Sequence, residues 1–243
     1  MKRAWWVGLV VVGLLSAVAH LPASLLDARL AAATEGRWRL ASAKGTLWQG
    51  SGQLMYAGRQ GEVLPMSTLA WRWQPAALRS LAMQWDIDAD GQTGSLQLKA
   101  GSVALQNLQL QLPVAALTGF SSKWHSARLG GQLQLQLGQM AWQAGRVEGQ
   151  AALAWVAASS PLSRIQPFGS YALDVQGLGE QVQLAMRTVQ GPLQIQGQGR
   201  YDANGLQFAG TASSEPAQYE ALKPVLLMLG KPDGPNSVAW RLN

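Results

Sequence analysis

Asp86, Asp88, Asp90 and Gly91, in the stretch DIDADG, are the residues of this chain best placed to do chemistry. Alternate carboxylates followed by a glycine open a calcium loop, in which they converge on one ion. Such a loop closes on a bidentate glutamate at its twelfth position, and that position here is Gln97. Trp85, Ile87 and Ala89 alternate with the aspartates, as on a strand that ends in an Asp-Gly turn. A solvated strand face is therefore expected, and no metal site.

The other nucleophiles and ligands are sparse. The sequence has two histidines, His20 and His125, and no cysteine, so thiol catalysis and disulfides are excluded. His125, in SSKWHSARLGG, lacks the H-x-x-x-H or H-x-E spacing of a zinc site and reads as a loop residue. There is no G-x-S-x-G elbow, and one exported histidine would have to carry a whole triad. No catalytic, cofactor or metal residues are assigned. The formal charge of +6 comes from basic residues scattered singly beyond position 3, not from the patch or stripe that nucleic acid requires.

The elements that would position any site are mostly strands. GGQLQLQLGQMAW, residues 130–142, sets Leu133, Leu135 and Leu137 against Gln132, Gln134 and Gln136. Side chains of a strand alternate faces, so the leucines point one way and the glutamines the other. Similar runs recur at 69–73, 81–90, 94–101, 105–113, 181–186, 191–202 and 205–213, with turn signals at Asp90-Gly91, Gly130-Gly131 and Asn204-Gly205. Short helices are expected over 27–35 and after Pro75 and Pro113, and a longer one over about 215–229, containing Pro224 and ended by Gly230. Charged residues make up only 13% of the chain, with Gln and Ser standing in for them.

The N-terminus has another character. Lys2 and Arg3 precede an uncharged run from Ala4 to Leu26. Crossing a bilayer core as a helix takes about 20 apolar residues, so the run is long enough. Trp5 and Trp6 suit the interfacial belt, and the two cations keep the N-terminus cytoplasmic. Ala17-Val18-Ala19 offers a rival reading as a cleaved signal peptide, but the apolar run continues past it through Leu21, Leu25 and Leu26. The expected layout is an anchor over 1–26 and an exported β-rich domain over 27–243. An echo within that domain, Trp48 with Trp142 and Trp71 with Trp155, leaves open two duplicated β-units.

The stretches LPASLLDARL, GTLWQGSGQL (45–54), PFGSYALDV (167–175), GPLQIQGQGRY (191–201) with LQFAGTAS, and ALKPVLLMLGK together resemble the type II secretion system protein N family. The resemblance spans most of the exported region, although no one motif is specific. It implies an accessory component of a machine that exports folded proteins across the outer membrane. It also implies a single inner-membrane helix, a periplasmic bulk, other components of the same system as partners, and no catalytic residues.

The leucine face then has three readings. It faces a second sheet in an antiparallel sandwich, the simplest expectation. It lines a groove for acyl chains on an open, curved sheet, which would make the chain a lipid-binding or lipid-transfer module. Or it faces lipid in an outer-membrane barrel, whose strands need about 9–11 alternating residues and are longer than most runs here. Trp38 and Trp124, in basic, loop-like surroundings, are the residues expected to touch a protein partner, since tryptophan is enriched at interface hot spots. The anchor reading has a direct check. N-terminal sequencing of membrane-extracted protein should begin ahead of His20, and a start at His20 would make the run a signal peptide.

Overall fold

The computed structural model describes residues 13, 16–58, 62–114 and 127–242, which fall into two compact units, Met1–Gly91 and Gln92–Asn243. Most of the expected anchor lies outside the described residues. Among those described, no helix is long and apolar enough to cross a membrane.

The first unit holds helix α1 (Ser24–Ala33) and strands β1 (Trp38–Gly45), β2 (Gln49–Ala57), β3 (Val63–Trp73) and β4 (Ala82–Ala89). The strands lie in chain order, each antiparallel to the next, and a 3-10 turn over Pro75–Ser80 joins β3 to β4. Helix α1 starts three residues earlier than its apolar pattern suggests, because Ala23 is already built into the fold: its N–H donates to Gly45 O at 3.1 Å. The helix lies along the outer edge of β1 and is pinned there by Asp27. That carboxylate accepts two hydrogen bonds from Arg39, at 2.8 and 2.6 Å, and one from the Leu40 N–H at 2.8 Å. An edge strand otherwise offers its free backbone groups to other chains, and α1 blunts that edge.

The second unit holds β5 (Gln92–Lys99), β6 (Ser102–Pro113), β7 (Gly130–Gln143), β8 (Arg146–Ser159), β9 (Gly169–Gly179), β10 (Val182–Gln190), β11 (Leu193–Asp202), β12 (Gly205–Ser214), helix α2 (Tyr219–Leu229), β13 (Lys231–Pro232) and β14 (Ser237–Leu242). Its ladder runs in chain order from β5 to β12, followed by β14 and then β13. Gly130-Gly131, expected as a turn, instead opens β7. The helix expected after Pro113 falls mostly outside the described residues.

The expected sandwich is not what forms. Within each unit the described strands make one layer, and no strand packs face to face on another. The element packed on one corner of the second unit's apolar face is α2, whose buried Leu222, Val225 and Leu226 sit against Leu193, Ile195, Ala212 and Val238. Phe168 and Tyr171, from PFGSYALDV, complete this core with Trp155 set edge-on to Phe168 at 6.0 Å. Burial raises the Tyr171 phenol above its ordinary pKa, and its hydroxyl donates to Leu193 O at 3.0 Å. Close approach explains the glycines of GPLQIQGQGRY. A Cβ on Gly197 would stand 2.7 Å from the Trp240 ring, which lies across β11 and β12. Gly50 and Gly52 of the first unit play the same part beneath Trp71 and Leu40.

Two outcomes are expected. Leu133 is 3% exposed while its neighbour Gln132 lies in solvent. Leu133→Asp should therefore lower stability by several kcal/mol and Gln132→Asp by no more than about half a kcal/mol, as read in urea melts. Equal effects would mean that both faces are covered. For Asp27, the Arg39 hydrogen bonds hold the carboxyl below its ordinary pKa. Its contribution is thus complete above the ordinary carboxylate range and is lost as pH falls through the lowered value. Protection factors of the α1 amides, corrected for the intrinsic pH dependence of exchange, should fall on such acidification, and Asp27→Asn should give the lower protection already at neutral pH.

Candidate functional site

The DIDADG carboxylates do not converge. Asp86 accepts a hydrogen bond from the Gln74 amide, and Asp88 caps its own turn by accepting from the Gly91 N–H at 3.0 Å. Asp90 accepts from Ser67 Oγ at 2.6 Å and from the Thr68 N–H at 2.8 Å. Each carboxylate is used locally, and no group of three or more potential ligands forms among the described residues. His125 and Trp124 lie outside the described residues. Trp38 opens β1, pairs with Tyr56 in register, and meets its ring edge-on at 5.3 Å. It is half-buried on the sheet.

The tryptophans of GTLWQGSGQL and its surroundings form a clasp that sequence reasoning did not anticipate. The turn between β1 and β2 receives indole N–H donors from two strands: Trp71 to Thr46 O at 3.0 Å and Trp85 to Leu47 O at 3.1 Å. Trp48 reaches the other way and donates to Val18 O at 2.8 Å, while its ring packs on Trp73 at 5.0 Å and is parallel to Trp85 at 6.3 Å. The Leu47 N–H donates to Leu21 O at 2.9 Å, and Pro22 bridges to Thr46. The result ties the segment entering the fold to one end of the strands. The echo between halves holds in part. Trp71 and Trp155 each donate to a carbonyl 25 residues upstream, whereas Trp48 sits in a turn and Trp142 in β7.

The second unit presents two contrasting faces, generated strand by strand. Leu110, Leu135, Leu153, Leu173 and Met186 stand opposite one another from β6 to β10. Parallel rows run through Leu108, Leu137, Ala151, Val175 and Leu184, and through Leu112, Leu133, Trp155 and Tyr171. Most of these side chains are half-buried, since they shield one another and α2 covers only the far corner. On the opposite face, Gln106, Gln139, Gln150, Gln176, Gln183, Arg200 and Gln207 form one row from β6 to β12. That face is concave, with a groove of about 1110 Å³ lined by the row from Gln150 to Gln207 together with Gln109, Gln136 and Gln198. Asp174 and Arg200 are the charged residues lining it. Primary amides donate and accept hydrogen bonds but do not titrate, so most of the groove lining can bind and orient polar groups.

The comparisons give these surfaces a context. No curated protein and no solved structure shows a significant match to the chain. The family model described as type II secretion system, protein N, matches residues 36–241, from just ahead of β1 to within β14. The match takes in the tryptophans of the clasp, the leucine rows and the glutamine groove alike, and the chain belongs to the type II secretion system protein N family.

Proposed function

We propose that this secretion-system component acts by contact and not by chemistry, as an inner-membrane-anchored, periplasmic accessory part that supports the passage of folded proteins across the outer membrane. The observation that carries the reading is the family match over 36–241, in a chain whose candidate carboxylates are each used for local structure. Contact surface is abundant. The leucine rows beyond α2 and the glutamine groove are both large, and neither collects titratable groups whose roles could be split between acid and base. The partners are other components of the same system, and Trp38 with Trp124 are the residues offered for contact. Neither a cofactor nor a small-molecule substrate is part of this reading.

A second reading is favoured by one observation, the single-layer sheet. With no facing sheet among the described residues, the row through Leu110 and Leu135 is only half-buried and offers an apolar surface to acyl chains. One experiment separates the two. In a deletion strain, a secreted reporter enzyme should accumulate folded and active in the periplasm, with its extracellular fraction restored by complementation. Normal secretion together with disturbed outer-membrane lipid asymmetry would reject the secretion role and establish the lipid one.

A further inference from the structure

One end of the first unit is apolar where water would ordinarily select polar residues. The connection from β3 to β4 is a 3-10 turn, Pro75–Ser80, followed by Leu81, and its leucines do not pack inward. Leu78 is 49% exposed and Leu81 is 88% exposed, and Leu81 also sits in the left-handed region at φ 53°. The Leu81 N–H donates to Leu78 O at 3.0 Å, so the two side chains belong to one tight turn. A left-handed conformation favours glycine or asparagine, and a leucine held there in solvent gains nothing from the fold itself.

The same end receives the entering chain. Trp73, the residue that closes β3, packs on Trp48, and Trp48 donates to Val18 O. Helix α1 also starts here, where Ala23 donates to Gly45 O, and its first turn carries the exposed Leu25 and Leu26. The exposed charges nearby are mainly basic, namely Lys44, Arg72 and Arg79, while the Asp86 carboxylate is taken up by Gln74. The apolar run from Ala4 therefore ends against a surface of leucines, tryptophan and cations. Apolar side chains flanked by cations match the boundary between headgroups and acyl chains, and tryptophan is enriched at that depth.

We infer that this end of the first unit, Leu78 and Leu81 with the turn carrying Trp48, docks on the surface of the bilayer, with the two leucines set into its interfacial layer. The inference rests on the anchor reading, which places the membrane next to Val18. It makes the connection a second membrane contact, and it holds the strands of the first unit end-on to the bilayer. Val63, at the other end of β3, is also exposed, at 59%, but belongs on the side away from lipid. At about 3.3 Å per residue, the length of β3 separates the two ends by roughly 30 Å.

The absence of cysteine makes the test direct. Leu81→Cys and Val63→Cys are each made in the full chain, labelled with a solvent-sensitive nitrobenzoxadiazole probe, and reconstituted into vesicles of phosphatidylethanolamine and phosphatidylglycerol. The probe at residue 81 should shift to the blue and lose emission when the acyl chains are brominated, and the probe at residue 63 should do neither. Carbonate extraction is run on the same vesicles. A chain retained by the vesicles with a water-like, unquenched probe at residue 81 overturns the docking surface and leaves the anchor intact. A chain stripped by carbonate overturns the anchor and the docking surface with it.

Discussion

Register is the constraint on which the second unit depends. From β6 to β10 the rows that begin at Leu108, Leu110 and Leu112 stay apolar on one face, while Gln106, Gln139, Gln150, Gln176 and Gln183 line up on the other. A slip by one residue in any strand would turn its leucines into the row of amides and its amides into the apolar rows. The hydrogen-bond ladder alone does not prevent such a slip, since backbone groups are the same at each position. The difference in burial between faces does. Cross-strand pairs contribute roughly 0.2–1 kcal/mol each, so a row spanning several strands makes the correct phase much the most stable.

The two aromatic assemblies use this frame differently. In the second unit, Trp240 lies over glycines of β11 and β12, and α2 closes the corner around Tyr171 and Leu193. In the first, the indoles of Trp71 and Trp85 fasten a turn whose Trp48 points back to the entering chain. Both place flat rings where glycine leaves no side chain, which allows a thin sheet to gain aromatic packing without a second layer. The family match covers both assemblies, so the packing that holds the strands belongs to the same region as the surfaces that would meet a partner.

Much of this was legible in the sequence. Strict alternation from Gln132 to Leu137 identifies a strand and its two faces, and the same holds for Leu193 to Asp202. The Asp88–Gly91 turn follows from residue type, as does the helix ending at Gly230. What alternation does not encode is the thing that covers an apolar face, because a facing sheet, a helix and a lipid all demand the same leucines. The sandwich expectation failed for that reason. Helix α1 begins early because its start is decided by tertiary bonds at Ala23, not by its own weak amphipathic pattern. The clasp was hidden for a similar reason. Its donors are tryptophans on separate strands, and their acceptors are backbone carbonyls, which have no signature in residue type. The glutamine groove was legible only in part: β7 and β11 show amides at every second position, but β8 and β9 bring one each, Gln150 and Gln176, which only the register aligns.

Gly138 departs from the regular ladder. Between Leu137 and Gln139 the pairing of β7 with β8 shifts by one, so Gly138 is surplus to β8. Against β6 no shift occurs, because Asn107, at φ 51°, stands opposite Gly138 and is equally surplus. The two adjacent strands thus carry matching extra residues, and the faces return to phase beyond them. Losing either residue alone leaves that strand's own alternation unbroken but makes the other a bulge against its neighbour, whereas losing both puts the three strands in plain register. A surplus residue in one strand is thus absorbed by a matching one in the next, and the irregularity passes without turning a face.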